Sequence, residues 1–235
     1  MTVSARTHLS PFPIPPARLV GREREVAEVR ELLQQYDVRL VTLTGPGGIG
    51  KTRIAFEVGQ QLLEPYGGRV RLVLLESLDD PDLLLARIAQ ALEVPVGGRA
   101  TLRAALVEAL SGDPWLLVLD NFERLAAAAP DIAWLLGNAE QLTLLVTSRA
   151  RLRIQGEFEY VTPPLKLPEP GDSAPVDENP AVMLFLQRAR AVAPDFSLDG
   201  TQTQTVAAIC RQLDGVPLAI ELAAPRSKVL PPEAI

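Results

Sequence analysis

Near-continuous apolar runs alternate along this chain with stretches in which apolar residues recur every three or four positions. The runs cover residues 39–44, 70–75, 115–120 and 142–147, and each predicts a strand covered on both faces of a sheet. Val26, Val29, Leu32 and Leu33 lie at helical spacing and predict a helix over about 24–35. Further helices are expected directly after residue 50, over 81–92 and over 102–110, and Tyr160 and Val161 suggest a shorter edge strand. Strands alternating with helices predict an α/β fold built on a parallel sheet of five strands.

Proline sets the boundaries. Pro11, Pro13, Pro15 and Pro16 remove backbone donors and fix φ, so residues 1–18 are expected to form an extended leader ahead of a sheet domain over 19–164. Pro168, Pro170 and Pro175 mark a linker over 165–179, after which only helical patterns remain, so 180–235 reads as a small all-helical domain.

The strand at 39–44 runs straight into Gly45-Pro46-Gly47-Gly48-Ile49-Gly50-Lys51-Thr52, a complete GxxxxGK(S/T) phosphate loop in its required place between strand and helix. Glycines let the backbone curl round β- and γ-phosphates with its N–H groups inward. Lys51 places a point charge on phosphate oxygens, Thr52 offers a hydroxyl to Mg2+, and the following helix aims its positive end at the anion. A nucleoside triphosphate is therefore the expected ligand.

Asp120 ends an apolar strand at its carboxyl end, where ligands of open α/β sheets bind, and is expected to hold Mg2+ directly or through water. Its neighbour is Asn121, which cannot take the proton of an attacking water. Glu123 is a candidate for that role, and reads equally well as an exposed acid of a loop or helix start. Arg149, after Thr147 and Ser148, puts a permanent cation at the same edge, positioned to distinguish a triphosphate from a diphosphate.

Composition narrows the classes. With 47% apolar residues in 235, the chain can bury a sizeable core and is not a disordered one. A net charge of −6 argues against direct nucleic-acid binding. The single cysteine, Cys210, excludes an internal disulfide and a cysteine metal cluster, and points to a reducing, cytoplasmic setting. No apolar run approaches the ~20 residues that span a bilayer, and the first 18 lack a signal-peptide core, so no membrane association is expected. His8 is the only histidine and is assigned no role.

In order along the chain, Leu19-Val20-Gly21-Arg22-Glu23-Arg24-Glu25, the phosphate loop with its strand and Arg53, Leu117-Val118-Leu119-Asp120-Asn121-Phe122-Glu123, Thr147-Ser148-Arg149 and Leu213-Asp214-Gly215-Val216-Pro217-Leu218-Ala219-Ile220-Glu221-Leu222-Ala223-Ala224 resemble the signal-transduction NTPases with numerous domains (STAND). The likeness is to the NB-ARC-like branch, and especially to the ATPase modules of large bacterial transcriptional regulators. It runs from about Leu19 to the end. The resemblance implies an additional-strand, AAA+-like sheet with ATP or ADP and Mg2+ as cofactors. It implies nucleotide contacts from Val20, Arg22, Gly45, Pro46, Gly47, Gly48, Ile49, Gly50, Lys51, Thr52 and Arg53, and a Pro217 that packs on the adenine from the helical domain. Arg149 matches the family's γ-phosphate sensor. Family members usually continue into a winged-helix domain, so a chain ending at Ile235 reads as the core module of a longer protein whose sensor and output domains lie elsewhere. Pro225 is expected to end or kink the last helix.

These readings lead to a nucleotide-dependent switch with slow, Mg-dependent ATP hydrolysis, catalytic groups Lys51, Asp120, Arg149 and Glu123, and self-association in the ATP state. The alternative is a P-loop ATPase with steady turnover driving work or substrate remodelling.

Overall fold

The computed structural model describes residues 19–94, 99–169, 175–198 and 200–235. The leader expected over 1–18 and part of the expected linker lie outside them. Contacts divide the chain into two compact units. The first comprises Val26–Thr44 and Lys51–Val161; the second holds residues 19–25, Gly45–Gly50 and Thr162–Ile235.

The first unit is a five-stranded parallel sheet flanked by helices. Its strands are β1 (Leu40–Thr44), β2 (Val70–Leu74), β3 (Trp115–Asp120), β4 (Leu142–Thr147) and β5 (Glu157–Val161), in the order β2-β3-β4-β1-β5. The pattern that predicted doubly covered strands is met in β1, β3 and β4, where every residue of β1 and Leu116 to Asp120 of β3 are buried; it fails in β2, an edge strand with Arg71 and Leu72 half-buried and Leu74 exposed. Leu43 pairs with Thr147 and Leu119 with Val146, so the carboxyl ends of β1, β3 and β4 come level at one edge.

Chain order gives helices α1 (Glu23–Leu33), α2 (Lys51–Gln61), α3 (Leu84–Ala91), α4 (Arg99–Ala109) and α5 (Ala129–Asn138). Ile88, Leu106, Phe122 and Leu135 pack with Leu117 and Leu119 in a continuous core. Each such side chain contributes roughly 1.5–3 kcal/mol by leaving water.

Two elements exceed what the sequence pattern predicted. β5 begins at Glu157, well before Tyr160; pairing with β1 along its whole length, from Leu40 opposite Glu157 to Thr44 opposite Val161, makes it a strand although its side chains are largely exposed. The bond from Thr44 Oγ1 to Glu159 Oε1 at 2.8 Å adds to that pairing. The alanine-rich stretch after β3, read without an element, forms a 3-10 segment (Phe122–Ala128) leading into α5, which has a proline in its first turn.

In the second unit, α6 (Pro180–Val192), α7 (Gly200–Gln212) and α8 (Pro217–Ala223) enclose Phe185, Val206, Cys210 and Ile220. Asn179 caps α6 by accepting the Ala181 N–H at 3.0 Å, ahead of a proline at the first helical position. Leu165 belongs to this core and donates its N–H to Gly215 O at 2.9 Å. A Cβ on Gly215, whose φ is +64°, would lie 2.5 Å from Leu165 O, so only glycine fits there. As expected of Pro225, α8 stops at Ala223 and tightens into a 3-10 turn, Ala224–Lys228. Among the described residues no helix is long and apolar enough to cross a membrane.

Candidate functional site

Within the first unit, the carboxyl edge of the sheet gathers five of the residues singled out by sequence. Lys51 and Thr52 open α2, where the first backbone N–H groups have no intrahelical acceptor and the helix dipole is positive. Thr52 Oγ1 donates to Asp120 Oδ1 at 2.7 Å. Thr147 Oγ1, from the adjacent strand, donates to the same oxygen at 2.7 Å, and Asn121 Nδ2 donates to Oδ2 at 3.2 Å. Burial pushes the Asp120 carboxyl above its usual range; the two hydroxyl bonds and Lys51 oppose that shift, and Glu123 adds to it.

Thr147 was read from sequence only as part of the strand end that carries Arg149. Its hydroxyl also accepts the Asn121 N–H at 2.9 Å. That bond pins Asn121 at φ 65°, a left-handed conformation asparagine adopts more readily than most residues. The available signal was a threonine ending an apolar strand.

Burial lowers the Lys51 pKa, with Arg149 adding to the shift and Glu123 and Asp120 opposing it. Arg149 Nε lies 3.3 Å from Glu123 Oε1; the Arg149 side chain is 70% exposed. The other carboxylate oxygen of Glu123 is buried without a hydrogen-bond partner. Arg53 follows in the first turn of α2, half-buried. Thr52 and Asp120 present two hard oxygens side by side, a donor set that fits Mg2+, which keeps waters and phosphate oxygens for the rest of its shell. Among the described residues no cluster of three or more His, Cys, Asp or Glu could cage a metal.

Within the second unit, Gly45–Gly50 meets the helical segment directly. Gly45, Gly48 and Gly50 have φ of +141°, +77° and +102°, values that side-chain-bearing residues rarely adopt. The Leu218 N–H, in the first turn of α8, donates to Gly48 O at 3.2 Å. Pro217 Cγ lies 4.0 Å from where a Cβ on Gly50 would stand. Arg22 Nη2 donates to Ile49 O at 2.9 Å. Of the other expected contacts, Pro46 and Gly47 are exposed and Val20 is half-buried.

The AAA ATPase domain family matches residues 18–147. An uncharacterized protein of Mycobacterium tuberculosis is 40% identical over 233 residues, 99% of this chain and 54% of its own length. A second protein of that organism, named "Putative HTH-type transcriptional regulator Rv0890c", is 37% identical over 206 residues, 87% of this chain and 22% of its own. The chain thus spans about half the length of the first relative. Among solved structures, a STAND protein with a tetratricopeptide repeat sensor from Pyrococcus horikoshii superimposes with a TM-score of 0.59 at 16% identity, covering 94% of this chain and 32% of that one. Cdc6p of Pyrobaculum aerophilum gives 0.55 at 20% identity, covering 93% and 65%. At such identities the likeness is one of fold. The chain belongs to the family of AAA ATPase domains, with the architecture of a STAND-like P-loop NTPase.

Proposed function

We propose that the chain is the ATP- and ADP-binding switch module of a STAND-type regulatory protein, with slow Mg-dependent ATP hydrolysis and self-association governed by the bound nucleotide. The observation that carries this reading is the Thr52–Asp120 pair at 2.7 Å directly following the phosphate-loop sequence. Mg2+, when bound, neutralises charge on the β- and γ-phosphates. Thr52 and Asp120 would hold it, and Thr147 keeps the Asp120 carboxylate in one orientation. Lys51 is partly desolvated, which strengthens its preference for an anionic partner. Arg149 reaches the γ-phosphate by exchanging its contact with Glu123 for the stronger anion. Slow turnover is supported by Asn121, which cannot take a proton, and by the engagement of one Glu123 oxygen with Arg149. The regulator name of one relative supports an output in transcription, carried by the rest of a longer protein.

A second reading, an ATPase with steady turnover, has one observation in its favour: Glu123 Oε2 is buried and without a hydrogen-bond partner, as a water-activating oxygen could be. Releasing and identifying the nucleotide that copurifies, then measuring multiple-turnover hydrolysis and mass in solution with ADP and with ATP, separates the two. Retained ADP, slow turnover and a larger particle with ATP support the switch. An empty site with brisk hydrolysis and unchanged mass supports the working ATPase.

A further inference from the structure

Arg22 is only 2% exposed, and its guanidinium so needs hydrogen bonds and countercharge to offset its lost hydration. It has both. Nη2 donates to Ile49 O at 2.9 Å, Nη1 donates to Pro164 O at 3.4 Å, and the buried Glu25 carboxylate lies 3.6 Å away. The preceding Gly21 sits at φ +64°, and a Cβ there would stand 2.3 Å from Pro180 Cβ. Glycine is therefore required at 21 for the chain to deliver Arg22 to this place.

What Arg22 grips matters more than how it is buried. In a planar trans peptide the C=O of one residue and the N–H of the next point in opposite directions. With Ile49 O turned to Arg22, the Gly50 N–H faces the other way. With Gly48 O turned to the Leu218 N–H, so does the Ile49 N–H. Each of these two successive donors is thereby turned away from the protein group that holds the carbonyl before it, as a backbone anion nest requires. Four glycines in six residues give the loop little internal reason to keep that orientation. An external fork that fixes a carbonyl supplies it, and lowers the ordering cost of binding.

We propose that Arg22 is a positioning residue for polyphosphate: its guanidinium holds the outward Ile49 carbonyl so that the Gly50 N–H is set to receive a phosphate oxygen. This rests on the reading of residues 45–52 as a phosphate site, and it differs from the direct nucleotide contact that the resemblance implied for Arg22. An arginine that acts through the loop serves every ligand with the same phosphates. One that touches the nucleoside serves only ligands that have one.

The test is calorimetric binding of Mg-ATP and of Mg-tripolyphosphate, which has neither base nor sugar, to the wild-type chain, Arg22→Ala and Arg22→Lys, each checked for intact circular dichroism. The expected result is an equal loss for both ligands in Arg22→Ala, roughly tenfold or more, with their affinity ratio unchanged. Arg22→Lys keeps the buried charge beside Glu25 and one route to Ile49 O, and is expected to lose less, at the same ratio; it decides the matter alone if Arg22→Ala does not fold. Loss confined to ATP would overturn the proposal in favour of a nucleoside contact. Unchanged affinity for both ligands in a folded variant would overturn it in favour of a purely structural arginine. Wild-type protein that binds neither ligand would overturn the phosphate-site reading itself, a failure visible before any substitution is made.

Discussion

The Thr147 hydroxyl donates to Asp120 Oδ1 at 2.7 Å across the β3–β4 pair, while accepting the N–H of Asn121. One oxygen therefore orients the acid and holds the turn after it. Thr147→Val keeps the shape and removes both bonds. It is expected to cost about 1–3 kcal/mol in denaturant unfolding, because polar groups that are shielded from water lose their partner. It is also expected to raise the Mg2+ concentration needed for ATP binding, and Thr147→Ser is expected to restore both. A magnesium titration of Thr147→Val that superimposes on wild type would show that Asp120 does not depend on this hydroxyl.

Cys210 is fully buried in the helical unit, and burial pushes its thiol up to about 12 from an ordinary 9.0. The folded state therefore keeps a proton that the unfolded chain loses first. This contribution to stability is complete below pH 9 and is lost as pH rises towards 12. Cys210→Ala is expected to flatten that alkaline loss, at a cost of about 1 kcal/mol near neutrality for the removed sulfur. Iodoacetamide labelling at pH 8 should be far slower than that of a free thiol, in proportion to the small population of opened molecules; labelling as fast as a free thiol would contradict the burial.

The strands β1 to β4, the glycine turn between β1 and α2, and the placement of Asp120 and Arg149 at strand ends were legible because their signals are local: an apolar run, a glycine spacing, a charged residue at a strand end. β5 was legible only at its last two residues, since Glu157, Phe158 and Glu159 become strand through pairing with β1 rather than through burial of their own. The part played by Thr147 could not be read without knowing that β3 and β4 are neighbours and in what register. Arg22 is the extreme case: Ile49 O and Pro164 O, to which it donates, stand 27 and 142 residues away, and no spacing in the sequence encodes them.

Gly48 combines two constraints. Its φ is +77°, and a Cβ there would stand 2.7 Å from Leu218 Cβ. Gly48→Ala is expected to cost about 1–2 kcal/mol for the left-handed backbone alone, with the clash in addition. Gly47 meets nothing within 4 Å, so Gly47→Ala should stay within about 1 kcal/mol of wild type. Unfolding midpoints without nucleotide compare the two directly, and equal midpoints would remove the case for a sterically required glycine at 48.

Arg149 and Glu123 form an ion pair at 3.3 Å, but with 70% of the arginine side chain in water the pair is screened and worth about 1 kcal/mol or less. Arg149→Ala should therefore fold with nearly wild-type stability, which makes it a clean probe of ligand sensing. If the guanidinium leaves Glu123 for the γ-phosphate, the variant loses about tenfold in ATP affinity and little in ADP affinity, because only the triphosphate carries that group. Lys51→Ala, by contrast, is expected to abolish triphosphate binding, since it removes the charge at the head of α2. Glu123→Gln separates binding from chemistry: unchanged ATP affinity with slower turnover places the proton on Glu123, whereas unchanged turnover returns it to an ion-pair partner of Arg149. Equal loss of ATP and ADP in Arg149→Ala would mean that the arginine reads a charge common to both nucleotides, and could not be the element that tells them apart.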